Sequence, residues 1–237
     1  IMLCRPIRWR ADRIESFVAD IHARHHRVQA KMGIDADGCI TAFEIDDLVG
    51  GGPFSAYPRT SIVEGNQVLN IAGGPYQVNG FRGKTTVVFQ NKTPISQYRA
   101  VGHPMGIVAC DSLLEKAAAK IGMDRLEIRR RNFIPDDSYP ANSPGGVPLH
   151  DLSHQACLDK LEQTIDLDAL KRDQAAARER GVQRGIGFAS FIKGTNPGAL
   201  IYGPAKVPIT AVDGCTIRFE PAGGVTCQIG VTEQGQG

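Results

Sequence analysis

Residues 27–34 alternate without a break: Val28, Ala30, Met32 and Ile34 fall on one face, Arg27, Gln29 and Lys31 on the other. A period of two sends successive side chains to opposite sides of an extended backbone, so the segment predicts a half-buried β-strand. Asp35-Ala36-Asp37-Gly38 supplies the turn, and residues 39–45 return as its partner. From Pro104 the texture changes. Ile107, Val108, Leu113, Leu114, Ala117, Ala118 and Ile121 recur at helical spacing, and Gly122 ends that helix. Asp124 is placed to cap a second helix over residues 125–132, whose arginines complement its negative end.

The rest of the chain is read the same way. Gly50-Gly51-Gly52-Pro53 breaks the strand pattern, and the stretch to about Gly83 reads as irregular. Residues 84–89 form a β-rich run stopped by Asn91-Lys92-Thr93-Pro94. Residues 135–148, rich in Pro, Gly, Ser, Asn and Asp, read as a linker or wrapping loop. Helices are expected over 149–165 and 168–180, and β structure over 185–192, 215–219 and 224–231. The expected fold class is α+β, with mixed sheets and packed helices. The expected division is 1–137, then linker and helices over 138–180, then 181–237.

Composition excludes several classes of function. A hydrophobic content of 42% and a charged content of 22% are ordinary for a soluble globular protein. The formal net charge of +2 gives no basic stripe, so no nucleic-acid partner is expected. No apolar run approaches the roughly 18 residues that span a bilayer, so no membrane partner is expected. The six cysteines, at positions 4, 39, 110, 157, 215 and 227, form no C-x-x-C pair. That removes support for zinc-ribbon, iron–sulfur and thioredoxin-like sites and predicts free thiols in a reducing cytoplasm. Cys215 and Cys227 are the one pair that a hairpin could bring together.

Two segments carry candidate chemistry. Gly230-Val231-Thr232-Glu233-Gln234-Gly235-Gln236-Gly237 is a strand end followed by a glycine turn. Such a turn exposes backbone N–H groups to phosphate or pterin oxygens, and Gln234 and Gln236 can donate and accept. Taken alone, such a segment is more often a plain tight turn. Tyr98-Arg99-Ala100-Val101-Gly102-His103-Pro104 lies between a strand and a helix. There Arg99 can hold an anionic or carbonyl oxygen, and His103 can bind an anion or shuttle a proton. The plainer reading is a surface charge and a helix cap. His22 and His26 are four apart, but Ala23 stands where a zinc motif needs Glu, so these histidines read as a solvated edge or satisfied groups. His150 and His154 read as structural, and Arg129-Arg130-Arg131 as a solvated or interface face.

Three segments in one order resemble a known family. They are Gln97-Tyr98-Arg99-Ala100-Val101-Gly102-His103-Pro104, then Ile121-Gly122-Met123-Asp124-Arg125-Leu126-Glu127-Ile128-Arg129-Arg130-Arg131-Asn132-Phe133-Ile134, then the Gly-Gln-Gly turn at 235–237. Arg5-Pro6-Ile7-Arg8-Trp9 and His22-Ala23-Arg24 fit upstream. Together they resemble the molybdopterin-binding large subunit of the xanthine dehydrogenase/aldehyde oxidase family, the molybdenum hydroxylases.

The resemblance implies parts of two molybdopterin-binding domains, and an aldehyde or N-heteroaromatic substrate oxidised with water as oxygen source. It implies a molybdopterin dinucleotide, in its cytosine form, with molybdenum held by the pterin and no protein metal ligand. It places 2Fe-2S clusters and FAD on partner subunits of a cytoplasmic hetero-oligomer. Arg99 inherits substrate orientation, Tyr98, Ala100 and Val101 the substrate pocket, and Gln234, Gly235, Gln236 and Gly237 the cofactor contacts. Val101 stands where xanthine-oxidising members carry a stacking aromatic, and Ala100 and Val101 follow Arg99 where carbon monoxide dehydrogenases carry a copper-binding cysteine. Both departures argue against those two substrates. The start at Ile1 and the stop inside the glycine turn read as an internal piece of a longer polypeptide. The resemblance puts a further glycine-rich cofactor segment upstream and a general-base glutamate downstream, so Glu233 is not that base and the 237 residues alone are expected to show no turnover. The alternative is a non-catalytic cofactor-binding or interaction module on the same scaffold.

Overall fold

The alternating segment is strand β1 (His26–Ile34), and its partner β2 (Ile40–Gly50) returns antiparallel with Gly33 opposite Ala42. Asp35 builds the turn: its carboxylate accepts from the backbone N–H of Asp37 and Cys39 at 3.0 and 2.8 Å. β2 pairs on its other edge, in parallel, with β3 (Gly80–Val88), giving the order β1-β2-β3. A parallel neighbour needs a crossover rather than a hairpin. Here the crossover carries helix α2 (Ile62–Asn70), in the stretch expected to be irregular. Its apolar period is masked because Glu64 and Gln67 are buried along with Val63 and Val68. Gly65 is a packing requirement: a Cβ there would lie 2.3 Å from Thr85 Oγ1 on β3.

This computed structural model describes residues 5–55, 62–194 and 214–230. The chain divides into two units, Ile1–Ile192 and Lys193–Gly237. In the first, α1 (Arg13–Ala19) precedes the sheet and buries none of its residues. The sheet is covered by α3 (His103–Ile121), whose Leu114 and Ala118 pack with Phe43 and Ile45 of β2, all 2% exposed or less. Each large apolar side chain so buried stabilises the fold by about 1.5–3 kcal/mol. Gly122 closes α3 in the left-handed conformation (φ 69°). Asp124 then caps α4 (Arg125–Asn132) by accepting from Leu126 and Glu127 N–H. Asn132 ties α4 back to the hairpin, accepting from Ile40 N–H at 2.7 Å and donating to Gly38 O at 2.8 Å.

Of the later elements, α6 and β6 have their expected lengths, while α5 is shorter than its sequence suggests. β4 (Ala141–Asn142) and β5 (Pro148–Leu149) form a small ladder, and the helix expected from 149 begins only at His154, as α5 (His154–Thr164). α6 (Leu167–Glu179) follows. Residues 185–192, expected as β, form no strand. Side chains take their backbone groups instead: Arg125 and Arg129 donate to Ile186 O and Phe188 O, and Ser190 N–H reaches Asp111. The second unit is the hairpin β6 (Cys215–Phe219) and β7 (Val225–Ile229), exposed on both faces. Cys215 stands opposite Ile229 and Cys227 opposite Ile217, and both remain free thiols. Among the described residues no helix is long and apolar enough to cross a membrane. The architecture is α+β.

Candidate functional site

The segment between the bridge at Ile95 and the start of α3 is a turn under strain. Ala100 and Val101 both have positive φ, 62° and 51°. For a β-branched residue this is a true outlier, and such residues cost about 1–3 kcal/mol each unless their surroundings impose the conformation. Val101 N–H donates to Tyr98 O at 2.8 Å, and His103 N–H to Ala100 O at 3.0 Å. Tyr98 and Arg99 are exposed at the outside of the turn; Ala100 and Val101 are half-buried. No hydrogen bond or ion pair engages the Arg99 guanidinium among the described residues, and the side chain carries five N–H donors.

The turn is held from two sides. On one, Arg24 Nε donates to Val101 O at 3.3 Å, and its Nη2 to Tyr98 O at 3.2 Å and to Arg99 O. The guanidinium also lies 5.6 Å from the Tyr98 ring centroid, within cation–π range. On the other, Gly102 rests on α2: a Cβ there would sit 1.9 Å from Glu64 O and 2.7 Å from Val68 N. One helical turn on, a Cβ at Gly106 would lie 2.7 Å from Val68 O. Glycine at both positions lets the two helix backbones touch.

Under this seat lies a buried ionic cluster. His26 Nδ1 is 3.0 Å from both carboxylate oxygens of Asp47, and its Nε2 is 3.9 Å from Glu64 Oε1. Burial alone would lower the His26 pKa, but its hydrogen bond to Asp47 and the nearby charges of Asp47 and Glu64 outweigh that and raise it to about 9. The imidazole is therefore protonated at neutral pH. Both Glu64 carboxylate oxygens are buried with no hydrogen-bond partner among the described residues. His26 is thus a buried, ion-paired histidine bonded to Asp47 through Nδ1, with its Nε2 left without a hydrogen bond among the described residues, whereas His22 forms a backbone bridge to Ile95.

The structure brings Tyr98, Arg99, Ala100 and Val101 together on one turn, and buries His103 behind them as the first residue of α3. Gln234, Gly235, Gln236 and Gly237 lie outside the described residues. Arg129 is not on a solvated face: its side chain is 1% exposed and pairs with Asp111 and Glu115. Sequence reasoning missed the contacts by which Arg24, Gly102 and Glu64 support this turn, because nothing local in the chain links Arg24 or Glu64 to residues 98–102. For an oxygen-rich pterin dinucleotide, or a substrate presenting a carbonyl or ring nitrogen, the exposed guanidinium on a rigid turn is a fitting donor set. No group of three or more His, Cys, Asp or Glu residues is arranged to hold a metal among the described residues.

The scaffold is mixed α+β, and comparison with known proteins identifies its family. Residues 1–133 and 160–237 each match a family described as a molybdopterin cofactor-binding domain. The chain belongs to the molybdopterin-binding large-subunit family of the molybdenum hydroxylases. It is 30% identical over 98% of its length to the nicotine 6-hydroxylase large subunit of Paenarthrobacter nicotinovorans, covering 28% of that protein. It is 25% identical over its whole length to the carbon monoxide dehydrogenase large chain of Hydrogenophaga pseudoflava, covering 30% of it. The crystal structure of quinoline 2-oxidoreductase from Pseudomonas putida 86 superposes with a TM-score of 0.93 at 32% identity, over 100% of this chain and 30% of that one. The chain thus spans less than a third of the length of these relatives.

Proposed function

We propose that this chain forms one wall of the cofactor and substrate site of a molybdenum-dependent oxidoreductase that hydroxylates an N-heteroaromatic or aldehyde substrate with water as oxygen source. The observation that carries the reading is the strained turn at 98–101, which presents an exposed Arg99 on a backbone held from both sides. Relatives at 30% and 32% identity are named for nicotine and quinoline, both N-heteroaromatic, and this favours that class over the aldehydes.

In this reading Arg99 donates to a substrate oxygen or ring nitrogen and fixes its orientation. Tyr98, Ala100 and Val101 shape the pocket beside it, with a branched aliphatic side chain at 101 in place of a flat ring. Gln234, Gly235, Gln236 and Gly237 hold a molybdopterin dinucleotide of the cytosine form through backbone N–H and amide groups. When bound, that group supplies the two-electron oxidation of the substrate carbon. Residues 1–137 belong to one cofactor-binding domain and 181–237 to a second, joined by 138–180. Iron–sulfur and flavin subunits accept the electrons in a cytoplasmic hetero-oligomer.

The test is Arg99→Ala in the complete subunit, with steady-state kinetics and molybdenum counted per subunit. A charge-assisted hydrogen bond is worth roughly 1.5–3 kcal/mol. The expected loss in kcat/KM is therefore on the order of ten- to a hundredfold, with molybdenum content near normal and His103→Ala milder. Full activity would make Arg99 structural. Molybdenum lost in proportion to activity would make it a cofactor-retention residue.

A further inference from the structure

Four non-glycine residues of the described chain have positive φ: Arg24, Ala100, Val101 and Asp151. Three of the four meet at one place, because the Arg24 side chain crosses to the turn that contains Ala100 and Val101. Strained backbone is retained where its surroundings over-determine it. Here a left-handed residue (φ 63°) aims its side chain at a second left-handed segment more than seventy positions away.

Arg24 is itself firmly placed. Two residues earlier, His22 bridges to Ile95, with His22 N–H donating to Pro94 O and Ser96 N–H to His22 O, each at 2.9 Å. One residue later, His25 O accepts from Gly50 N–H at 2.9 Å. Next, His26 is locked by Asp47. Residues 22–26 therefore form a bracket clamped at both ends, with Arg24 at its crest. A planar guanidinium with donors in a fixed fork is the side chain suited to collect several carbonyls at once. A lysine ammonium is a compact point charge and cannot span them in the same geometry.

We infer that Arg24 is a positioning residue: by collecting the carbonyls of Tyr98, Arg99 and Val101 it holds the turn in its strained form and so sets where Arg99 presents its guanidinium. The inference deepens the functional reading above and rests on it for the consequence to Arg99. The bracing of the turn stands on geometry alone.

The primary experiment is amide hydrogen exchange on the complete subunit, comparing wild type, Arg24→Lys, Arg24→Ala and Arg99→Ala. The reporters are Val101 N–H and His103 N–H, both bonded within the turn. The controls are Ile128 N–H and Phe133 N–H, bonded on α4 to Asp124 O and Arg129 O. Arg24→Ala is expected to speed exchange at the reporters about tenfold or more while the controls hold, since local opening is governed by local contacts. Arg24→Lys should fall between, and Arg99→Ala should leave the reporters unchanged. Equal acceleration at reporters and controls would make Arg24 a general scaffold residue and overturn the inference, as would no acceleration. If Arg24→Ala does not fold, Arg24→Lys decides: a selective rise at the reporters supports the bracing, and its absence overturns it.

The kinetic arm separates the two claims. If Arg24 acts through Arg99, the double variant Arg24→Ala/Arg99→Ala loses no more kcat/KM than Arg99→Ala alone. Additive losses would overturn positioning through Arg99. An Arg99→Ala variant with full activity would sink the role of Arg99, while the exchange result would still judge the bracing.

Discussion

Two buried ionic networks stand in the first unit, with the same charges but cations of different donor count. Each sets one cation against two carboxylates. Arg129 donates to Asp111 Oδ1 through Nε and Nη2 at 3.2 and 2.9 Å, meets Glu115 at 2.7 Å, and reaches the carbonyls of Arg125 and Phe188, both at 2.8 Å. Tyr76 OH adds a bond to Asp111 at 3.1 Å. His26 has only two ring nitrogens to offer. One meets Asp47, and the other stops 3.9 Å from Glu64, neither of whose carboxylate oxygens has a hydrogen-bond partner among the described residues; in the Arg129 network one oxygen of each carboxylate, Asp111 Oδ2 and Glu115 Oε1, is likewise without one. The difference is one of donor count and shape. A five-donor fork can satisfy carboxylates and stray carbonyls together, whereas an imidazole cannot. The first network welds α3, α4 and residues 186–190 into a scaffold. The second leaves buried charge beneath Gly102 and the turn.

The largest expected effect follows from the Arg129 network. Arg129→Ala removes the cation from two carboxylates and releases two carbonyls, and breaking a buried pair this way costs roughly 3–5 kcal/mol. Chemical denaturation of the complete subunit measures it. A loss below about 1 kcal/mol, the range of exposed pairs, would mean that water reaches Asp111 and that the two networks do not differ in kind.

How much of this was legible in the sequence depends on whether the signal was local. The β1–β2 hairpin was, because Val28, Ala30 and Met32 alternate and Asp35 carries its own turn chemistry. The α4 cap was, because Asp124 immediately precedes its helix. Helix α2 was not: a buried Glu64 and Gln67 erase the apolar period, and Gly65 argues against a helix until Thr85 is seen against it. Arg129 was misplaced for the same reason. Charge alone puts an arginine outside, and its partner Asp111 lies eighteen positions away on α3. At the candidate site, Tyr98 to Val101 were singled out by motif, while Arg24 and Gly102 act through contacts with no counterpart in sequence spacing.

A smaller effect separates the networks by pH. His26 has a folded-state pKa of about 9 against 6.5 when free, so its stabilisation is complete below about pH 6.5 and disappears as pH rises through about 9. The span corresponds to roughly 3 kcal/mol. Denaturation midpoints followed from pH 6 to 10 should show this loss in wild type and lack it in His26→Gln. Glu64→Gln removes one of the two carboxylates that retain the proton, so the loss should begin at lower pH. The imidazole resonance titration reads the same shift directly. An unchanged alkaline profile in Glu64→Gln would assign the raised pKa to Asp47 alone.

The smallest effect sharpens the comparison by moving one residue along α4. Arg130 pairs with Asp159 at 2.5 Å and Glu162 at 2.6 Å on α5, contacts as short as any that Arg129 makes. Its side chain is 31% exposed, against 1% for Arg129, and its partners are 53% and 43% exposed. Distance alone would rank the two arginines together. Burial ranks them apart, because water already solvates the Arg130 pair and salt screens it. Arg130→Ala should therefore cost roughly 0–1 kcal/mol and less at high salt, whereas the cost of Arg129→Ala should be nearly indifferent to salt. Denaturant midpoints of both variants at about 0.05 and 1 M salt, where the Debye length falls from over 10 Å to about 3 Å, make the comparison. Equal costs, or equal salt dependence, would show that contact distance rather than desolvation sets the worth of these pairs. The contrast drawn between the Arg129 and His26 networks would then lose its basis.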